Sequence, residues 1–396
     1  MVAKNFKHWI LLCTMVLISV AWIAAHHSGV VLPISLKALL PGMAVFAAAF
    51  ILSWGAELAM LDIPGALAFA FLAVIAVLPE YAVDIYFAWT AAKNPEYVAY
   101  ATANMTGANR LLIGFGWPVI LFAYWLKRKK NEIILEKNHG LSLSVLFCAT
   151  VYSFLIPIKG SLSMFDALVL ITIFVVYIYK VSRTHLVEPE LEGITEIIGL
   201  WSLIPRRTAT ILFFVLAGYT IYVAAEPFAE GLLEVGRHFE IEEFILVQWL
   251  APLASESPEF IIAILFALKV NPQGSFTTLI SSKINQWTLL VGMLPLAYIL
   301  SLGDIGVMHL DFRQREEIFL TSAQSLFAIV LLADFKFTIR EAMVLFLLFA
   351  TQLYFVSSTS RLIYAIFYIL LSILIFAFLA KKRAGMFSLF GKERKF

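Results

Sequence analysis

Two glutamates that directly follow prolines lie inside apolar stretches, one in each half of the chain. They are Glu80 in VIAVLPEYAVDIYFA and Glu259 in LAPLASESPEFIIAILF. A carboxylate is costly to bury in hydrocarbon, so an acid within a membrane helix indicates a functional site. Each neighbouring proline removes a helix hydrogen bond and frees a carbonyl oxygen. Carboxylates and carbonyl oxygens are the ligands that Ca²⁺ prefers, so Glu80 and Glu259 form a candidate metal site.

A polar run of small residues follows each of these segments. The first is YATANMTGANR at 100–110, and the second is TTLISSKINQWT at 277–288. Their oxygens would add neutral ligands, but small residues also let helices approach closely, so ligand and packing roles both stay open. The candidate ion-binding residues are therefore Glu80, Glu259, Asn104, Thr106, Asn109, Ser255, Glu256, Ser281, Ser282 and Asn285.

Each half also carries a second acid and one base near its glutamate. Asp84 lies four residues after Glu80, on the same helical face, and Glu256 lies three residues before Glu259. Because buried charges need partners, we expect Arg110 to pair with Asp84 or Glu80, and Lys283 with Glu256. These bases could replace a bound cation and take part in coupling, or the ion pairs could be structural locks.

Composition identifies the environment of these charges. The chain has 396 residues, 61% of them hydrophobic and 14% charged, with a mean hydropathy of +0.89. Soluble domains are far more polar, and windows of about 20 apolar residues predict transmembrane helices. We predict an all-α polytopic membrane protein with about twelve such helices, near 9–30, 38–60, 65–91, 96–126, 141–158, 164–181, 208–234, 243–269, 273–301, 316–333, 340–357 and 361–380.

The basic residues predict the orientation of these helices in the cell membrane. They concentrate at Lys127–Lys130, in the 180–207 segment and in the C-terminal tail. Basic loops remain cytoplasmic, so we expect a multi-pass protein with both termini in the cytoplasm. The helix with Glu80 then runs outward and the helix with Glu259 runs inward, which indicates two inverted five-helix repeats.

This topology divides the chain into five parts. We expect an extra transmembrane helix at 1–37, a first repeat at 38–181, a cytoplasmic linker at 182–207, a second repeat at 208–357, and a final transmembrane helix with a basic cytoplasmic tail at 358–396. Within the linker, apolar and acidic residues alternate between Leu191 and Trp201. A short interfacial helix and an ordinary solvated loop are both compatible with this pattern.

The two acidic motifs and the polar runs resemble the calcium/cation antiporter superfamily of the sodium/calcium exchanger type. That family has two inverted repeats, each with a (Thr/Ser)-Ser-x-Pro-Glu step followed by a Gly-Asn-x-x-Gly-Ser-Asn helix. The matching stretches are AVLPE and ANMTGAN in the first half, and SESPE and SSKIN in the second. The resemblance covers roughly 38–357 and implies that Glu80 and Glu259 are the two central ion-binding acids, and that Ser255 is a hydroxyl ligand.

The chain also departs from the family pattern. Ala76 and Val77 stand where the first repeat has hydroxyl residues, Ala108 replaces a serine, and Glu256 replaces another. Leu112 stands where the family often has Asn or Asp, and Thr288 is expected at the matching place in the second half. About half of the side-chain ligands expected for sodium are therefore missing, which makes proton coupling through these acids a plausible alternative.

The resemblance implies secondary active antiport by alternating access, in which Ca²⁺ or a similar cation exchanges for Na⁺ or H⁺ at a midplane site. One alternative is a Na⁺/H⁺ exchanger on the same scaffold, with Lys283 or Arg110 as a resident cation. Another is a non-transporting membrane protein whose acids are locked in salt bridges. No nucleotide-binding or protease fingerprint is present, so we expect no enzymatic activity. The expected partners are inorganic cations and the lipid bilayer, without nucleic acid or a prosthetic cofactor; the sequence leaves the oligomeric state open.

Overall fold

The computed structural model describes residues 2–63, 75, 77–136, 139–184, 191, 193–269 and 272–390. Described residues of the first half form α1 (Val2–Ser28), α2 (Ile34–Lys37), α3 (Leu39–Ala59), α4 (Leu78–Ala91), α5 (Tyr97–Leu111), the π-helix π1 (Leu112–Gly116), α6 (Trp117–Arg128), β1 (Glu132–Ile134), α7 (Gly140–Ser153), α8 (Leu155–Lys159), β2 (Ser161–Leu162) and α9 (Met164–Thr184). This order places the predicted polar run 100–110 on α5.

The second half has a similar succession of elements. It contains α10 (Ile194–Gly199), α11 (Leu203–Phe239), α12 (Glu243–Lys269), α13 (Pro272–Asn285), the π-helix π2 (Gln286–Leu290), α14 (Val291–Leu302), β3 (Met308–His309), α15 (Phe312–Leu332), β4 (Lys336–Thr338), α16 (Ile339–Tyr354), α17 (Ser358–Phe378) and α18 (Ala380–Phe390). The predicted predominance of helices is therefore confirmed, and the strands are only two or three residues long.

Eight helical stretches of the described chain are long and apolar enough to cross a membrane, which indicates a multi-pass membrane protein. They are Phe6–Ser28, Ile34–Ala59, Tyr97–Arg128, Gly140–Lys159, Met164–Arg183, Leu203–Phe239, Gly274–Leu302 and Ser358–Phe378. The other four predicted spans correspond to α4, α12, α15 and α16. These helices are short in their described part or contain buried acids, and most of the predicted span 65–91 before α4 lies outside the described residues.

The two polar runs belong to two segments of similar construction. Segment A is α5–π1–α6, with lengths of 15, 5 and 12 residues. Segment B is α13–π2–α14, with lengths of 14, 5 and 12 residues. A π-helix inserts an extra residue into an α-helix and occurs frequently at functional sites. The two π-helices define a common register, in which Leu112 matches Gln286.

The chain folds into two compact units, and the first consists of Met1–Phe87 and Ile178–Pro258. In unit 1, α3 packs along α11 and α1. Gly231 permits a close approach, because a Cβ atom there would lie 2.3 Å from the carbonyl oxygen of Lys37. The core cluster of this unit comprises Leu12, Met15, Ala47, Ala48, Phe50, Ile51, Leu52, Trp54, Leu58, Ile194, Ile198, Phe213, Ala217 and Ile221.

The linker contributes to that core. Its described part forms the short helix α10, whose Ile194 and Ile198 are buried against the other apolar residues of unit 1. Thr195 donates a hydrogen bond to Glu57 at 2.6 Å. A solvated loop therefore does not describe 194–199, and the short helix is anchored by packing within unit 1. Residues 185–190 and 192 of the linker lie outside the described residues.

Unit 2 consists of Ala88–Tyr177 and Glu259–Phe396. Here α15 packs against α17, α5 and α7. Two short antiparallel sheets join distant loops: β1 pairs with β4, and β2 pairs with β3. Capping boxes fix the starts of α15 and α16, with Asp311 and Thr338 accepting hydrogen bonds from the backbone of their first turns.

The boundaries of the units fall inside α4, α9 and α12, so each predicted repeat contributes residues to both units. The predicted repeats at 38–181 and 208–357 are each one continuous stretch of chain. Each compact unit, in contrast, is assembled from two separate stretches. The predicted inverted relation of the repeats remains a prediction.

Candidate functional site

The first acidic motif lies at the start of α4, in unit 1. Pro79 is in the first turn of the described helix, where a missing N–H costs no helix hydrogen bond. Glu80 and Asp84 are both buried, with exposed fractions of 1% and 0%. The positive end of the helix dipole favours a carboxylate in this first turn. Val77, which stands where the family has a hydroxyl residue, is also buried. Ala76, the other such position, lies outside the described residues.

The second acidic motif lies in the middle of α12. This helix is continuous from Glu243 to Lys269, so the proline at 258 does not interrupt it. The Pro-Glu step of the second motif therefore lies within one helix and does not end it. In unit 1, Ser255 and Glu256 are buried on α12. The Ser255 hydroxyl donates to the carbonyl oxygen of Ala251 at 3.2 Å, a local bond that leaves the lone pairs of the hydroxyl oxygen available.

The other glutamate, Glu259, belongs to the part of α12 in unit 2. Its carboxylate accepts a hydrogen bond of 2.8 Å from the hydroxyl of Ser282 on α13. The sequence prediction included both residues, and the structure brings these two together. A hydroxyl orients a carboxylate through a charge-assisted bond without neutralising it.

A chain of hydroxyl groups lies next to this bond in unit 2. The Ser281 hydroxyl lies 3.2 Å from the Tyr177 hydroxyl, which lies 3.4 Å from that of Ser142. The sequence prediction included Ser281 but neither Tyr177 nor Ser142. An isolated tyrosine among aromatic and aliphatic residues gives no signal in one sequence, because its partner is 104 positions away.

The remaining candidates of segment A are fully buried on α5. Thr106 donates its hydroxyl proton to the carbonyl oxygen of Thr102 at 2.7 Å. Asn109 donates through Nδ2 to the carbonyl oxygen of Met105 at 2.8 Å. This bond fixes the amide so that its oxygen points away from its own helix. Asn104, which is also 0% exposed, completes the predicted set on α5.

Lys283 of segment B reaches that amide oxygen. Its Nζ donates to Oδ1 of Asn109 at 2.6 Å and lies 3.5 Å from the Asn109 carbonyl oxygen. The ammonium also lies 4.3 Å from the ring centroid of Trp287, which gives a cation–π contact. Lys283 and Asn285 are both 0% exposed. The structure therefore gives Lys283 two partners that sequence reasoning did not include, and its pairing with Glu256 stays a prediction.

Arg110 forms a different kind of contact. Its Nη2 donates to Oε2 of Glu317 on α15 at 2.5 Å, and both side chains are 3% exposed. Arg361 of α17 contacts the same carboxylate at 3.6 Å. The predicted pairing of Arg110 with Asp84 or Glu80 remains a prediction. The acids at 316 and 317, inside a predicted span, were a signal that sequence reasoning did not use.

No group of three or more His, Cys, Asp or Glu side chains within the described ranges is arranged to hold a metal ion. A cation site built from the candidate residues would combine carboxylates with hydroxyl, amide and carbonyl oxygens. Such mixed oxygen sets are the coordination that Ca²⁺ accepts, since its geometry is flexible.

Comparison with known proteins shows which family and which solved structures the chain resembles. The family model described as sodium/calcium exchanger protein matches residues 8–182 and 209–358. The crystal structure of the H⁺/Ca²⁺ exchanger CAX is 43% identical, covers 98% of this chain and 97% of its own, and has a TM-score of 0.93. No curated protein sequence matches this chain significantly.

Two more distant structures share the fold. The Ca²⁺/H⁺ antiporter protein YfkE is 14% identical, with 92% of this chain and 99% of its own covered and a TM-score of 0.62. The sodium–calcium exchanger NCX_Mj is 15% identical, with 79% and 95% covered and a TM-score of 0.53. At these identities the likeness concerns the fold alone.

Proposed function

The chain belongs to the sodium/calcium exchanger protein family, and we propose that it is a secondary active antiporter that exchanges Ca²⁺ for H⁺. The choice of H⁺ over Na⁺ rests on its similarity to a structure described as an H⁺/Ca²⁺ exchanger, with 43% identity over 98% of this chain. Like its relatives, the protein is a non-enzymatic exchanger in a membrane. Inorganic cations and the bilayer are its partners.

The contact between Glu259 and Ser282 carries the proposal. A carboxylate at a Pro-Glu step is oriented by a hydroxyl, at 2.8 Å, on the helix that holds the second polar run. A carboxylate held in this way still requires a positive charge in a membrane interior. Ca²⁺ or a proton can supply that charge, and exchange of one for the other is the chemistry of an antiporter.

We place the transported cation at Glu80 and Glu259. Two carboxylates are balanced by one Ca²⁺ or by two protons, so the site has the same net charge in both loaded states. Neutral oxygens from the polar runs would complete the shell around the larger ion. Asn104, Thr106, Asn109, Ser255, Glu256, Ser281, Ser282 and Asn285 are the candidates for this role.

Alternating access is the proposed mechanism. The matching lengths of segments A and B support two repeats, which the predicted topology relates by inversion. Transporters built in this way expose a midplane site to each side in turn as one repeat moves against the other. We propose that both termini are cytoplasmic, because the basic loops then lie on the inner side.

Flux measurements in proteoliposomes test the proposal. Ca²⁺ uptake would be followed as ⁴⁵Ca²⁺ under an outward proton gradient and, separately, under an outward Na⁺ gradient. We expect proton-driven uptake by the wild-type protein and its loss in Glu80→Gln/Glu259→Gln. Glu234→Gln is the control, because Glu234 is a partly exposed acid that pairs with Lys37 in unit 1.

Each other result contradicts part of the proposal. Uptake driven only by Na⁺ would show that H⁺ is not the counter-ion, although the protein would still be a Ca²⁺ antiporter. Uptake that persists in the double variant would place the site elsewhere. If no Ca²⁺ moves, pH-sensitive dyes would test for Na⁺/H⁺ exchange. Absence of a pH change as well would favour a non-transporting protein whose acids are held in salt bridges.

A further inference from the structure

Lys283 lies in segment B at the position that Asn109 occupies in segment A. Each is the third residue before its π-helix, since π1 begins at Leu112 and π2 begins at Gln286. The two matching residues contact each other directly, with 2.6 Å between Nζ and Oδ1. When the stretches ANMTGAN and SSKIN are aligned by sequence, Asn109 falls opposite Asn285, which lies two residues after Lys283. In the structural register, one segment has an amide and the other an ammonium.

The contacts of the ammonium include groups that also hold a bound monovalent cation. The Asn109 amide oxygen lies 2.6 Å away, its backbone carbonyl oxygen 3.5 Å away, and the electron-rich face of Trp287 4.3 Å away. The amide is held by its own bond to Met105 at 2.8 Å, so its oxygen is preorganised. Neutral oxygens and an aromatic face also stabilise a free cation such as Na⁺.

The position of Lys283 in the chain connects it to the acidic motif. The preceding residue, Ser282, holds the Glu259 carboxylate at 2.8 Å. A lysine ammonium is a compact point charge on a flexible stem, and complete burial at 0% exposure is costly unless the site gains from the charge. The charge is therefore covalently attached next to the residue that is proposed to bind the transported ion.

We propose that the Lys283 ammonium is a tethered cation that replaces a soluble monovalent cation at this position. This inference rests on the proposed antiport and concerns the number of ions that take part in it. Because one positive charge always remains in the protein, this position needs no Na⁺ from solution to supply that charge. The tether makes exchange by the wild-type protein independent of Na⁺.

The test introduces into segment B the residue that segment A has at the matched position, an asparagine. Lys283→Asn gives both segments an asparagine at the matched position and removes the ammonium. The purified protein in detergent would be heated in NaCl and in choline chloride at equal ionic strength. We expect equal melting temperatures for the wild type, and for Lys283→Asn a melting temperature higher in NaCl by about 3 °C or more.

Three comparisons make the measurement specific. Ammonium chloride should stabilise Lys283→Asn as NaCl does, because it returns the missing group. Lys283→Arg keeps a positive charge and should show no response to Na⁺. Asn109→Ala/Lys283→Asn lacks the amide oxygen and should lose the response that Lys283→Asn gains.

Equal melting temperatures of Lys283→Asn in all three salts would overturn the proposal. If the variant is recovered folded only in NaCl or ammonium chloride, that rescue supports the proposal. Failure to fold in every salt, by this variant and by Lys283→Gln, would show that the lysine is structural and would overturn it.

A transport measurement distinguishes failure of this proposal from failure of the proposed function. In proteoliposomes, proton-driven ⁴⁵Ca²⁺ uptake should be unaffected by Na⁺ in the wild type and should require Na⁺ in Lys283→Asn. Absence of uptake by the wild type would contradict the antiport with Ca²⁺. The melting experiment would still decide whether a monovalent cation replaces the ammonium.

Discussion

Segments A and B have nearly the same backbone plan but opposite ways of holding an acid. Segment A presents Gly107–Arg110 before its π-helix, and segment B presents Ser281–Ile284 at the same positions. Arg110 donates to Glu317 at 2.5 Å and compensates its charge, whereas the hydroxyl of Ser282, which donates to Glu259 at 2.8 Å, carries no charge. Under the proposed function, the first acid is a structural element and the second receives its compensating charge from the transported ion.

The largest expected effect comes from removing the guanidinium. Arg110→Ile gives segment A the residue that segment B has at this position, Ile284. The buried Glu317 then loses its closer partner, and we expect the free energy of unfolding to fall by about 3–5 kcal/mol. Unfolding of the detergent-solubilised protein, followed by intrinsic fluorescence, measures this change.

A second substitution tests whether the loss comes from the stranded charge. In Arg110→Ile/Glu317→Leu both charges are gone, and Arg361 keeps its contact with Glu316 at 3.2 Å. The double variant should recover most of the lost stability, because apolar replacement of a buried pair is often neutral. A double variant no more stable than the single one would refute the role of Arg110 as a lock.

A smaller effect is expected from the π-helices. A Cβ atom on Gly114 of π1 would lie 2.3 Å from Cγ of Phe349, whereas π2 has Thr288 at the matching position. Gly114→Ala should therefore lower stability by about 1–3 kcal/mol through overpacking. Thr288→Ala is the control and should cost less. Equal shifts in the melting temperatures of the two variants would show that the segments do not differ in packing.

Substitutions at Ser282 and at Ala108, the matching residue of segment A, test whether a hydroxyl at this position affects the binding of Ca²⁺. Ser282→Ala removes the hydrogen bond to Glu259, and Ala108→Ser adds a hydroxyl to segment A at the same position. Under the proposed function, Ser282→Ala should weaken the apparent affinity for Ca²⁺ about tenfold, since bonds to charged groups contribute roughly 1.5–3 kcal/mol. Ala108→Ser should change it little. Concentration dependence of ⁴⁵Ca²⁺ uptake measures both, and equal affinities would remove Ser282 from the site.

The smallest effect concerns Asp62, an acid that lies outside the stretches able to cross a membrane and pairs with two arginines. Desolvation raises the pKa of Asp62, but hydrogen bonds from Arg207 and Arg206 outweigh it and hold this pKa below its ordinary value of 3.8. The stability gained from this pair is present above about pH 4 and is lost as the pH falls through the lowered pKa. Asp62→Asn should remove this dependence, whereas Arg110→Ile should leave it intact. Melting temperatures between pH 3 and 6 would check both, and identical profiles for Asp62→Asn and the wild type would contradict it.

Features encoded locally could be predicted from the sequence. Apolar windows coincide with the eight helical stretches that could cross a membrane, and the acids at 80 and 259 stood out because carboxylates are rare in hydrocarbon. The alternation of apolar and acidic residues in the linker was compatible with a short helix or a solvated loop, and the structure has a helix at Ile194–Gly199. These signals depend on one stretch of chain at a time.

Features that depend on distant partners could not be predicted. Arg110 contacts a residue 207 positions away, and Lys283 contacts one 174 positions away. Nothing in one sequence reports which distant acid or amide such a base meets. The π-helices were also missed, because an inserted residue changes the register of a helix without changing its hydrophobic pattern. That register decides whether Lys283 or Asn285 matches Asn109.

The interleaving of the two units has a consequence for biosynthesis. Residues 88–177 separate the two parts of unit 1, so α1 and α3 are synthesised well before α10 and α11. At 5–20 residues per second, translation of the intervening stretch takes roughly 5–20 s. During that time, the face of α3 that finally contacts Phe213 and Ile221 is exposed to lipid or to the insertion machinery. Chains that terminate in this interval lack the part of the unit 1 core that α10 and α11 supply.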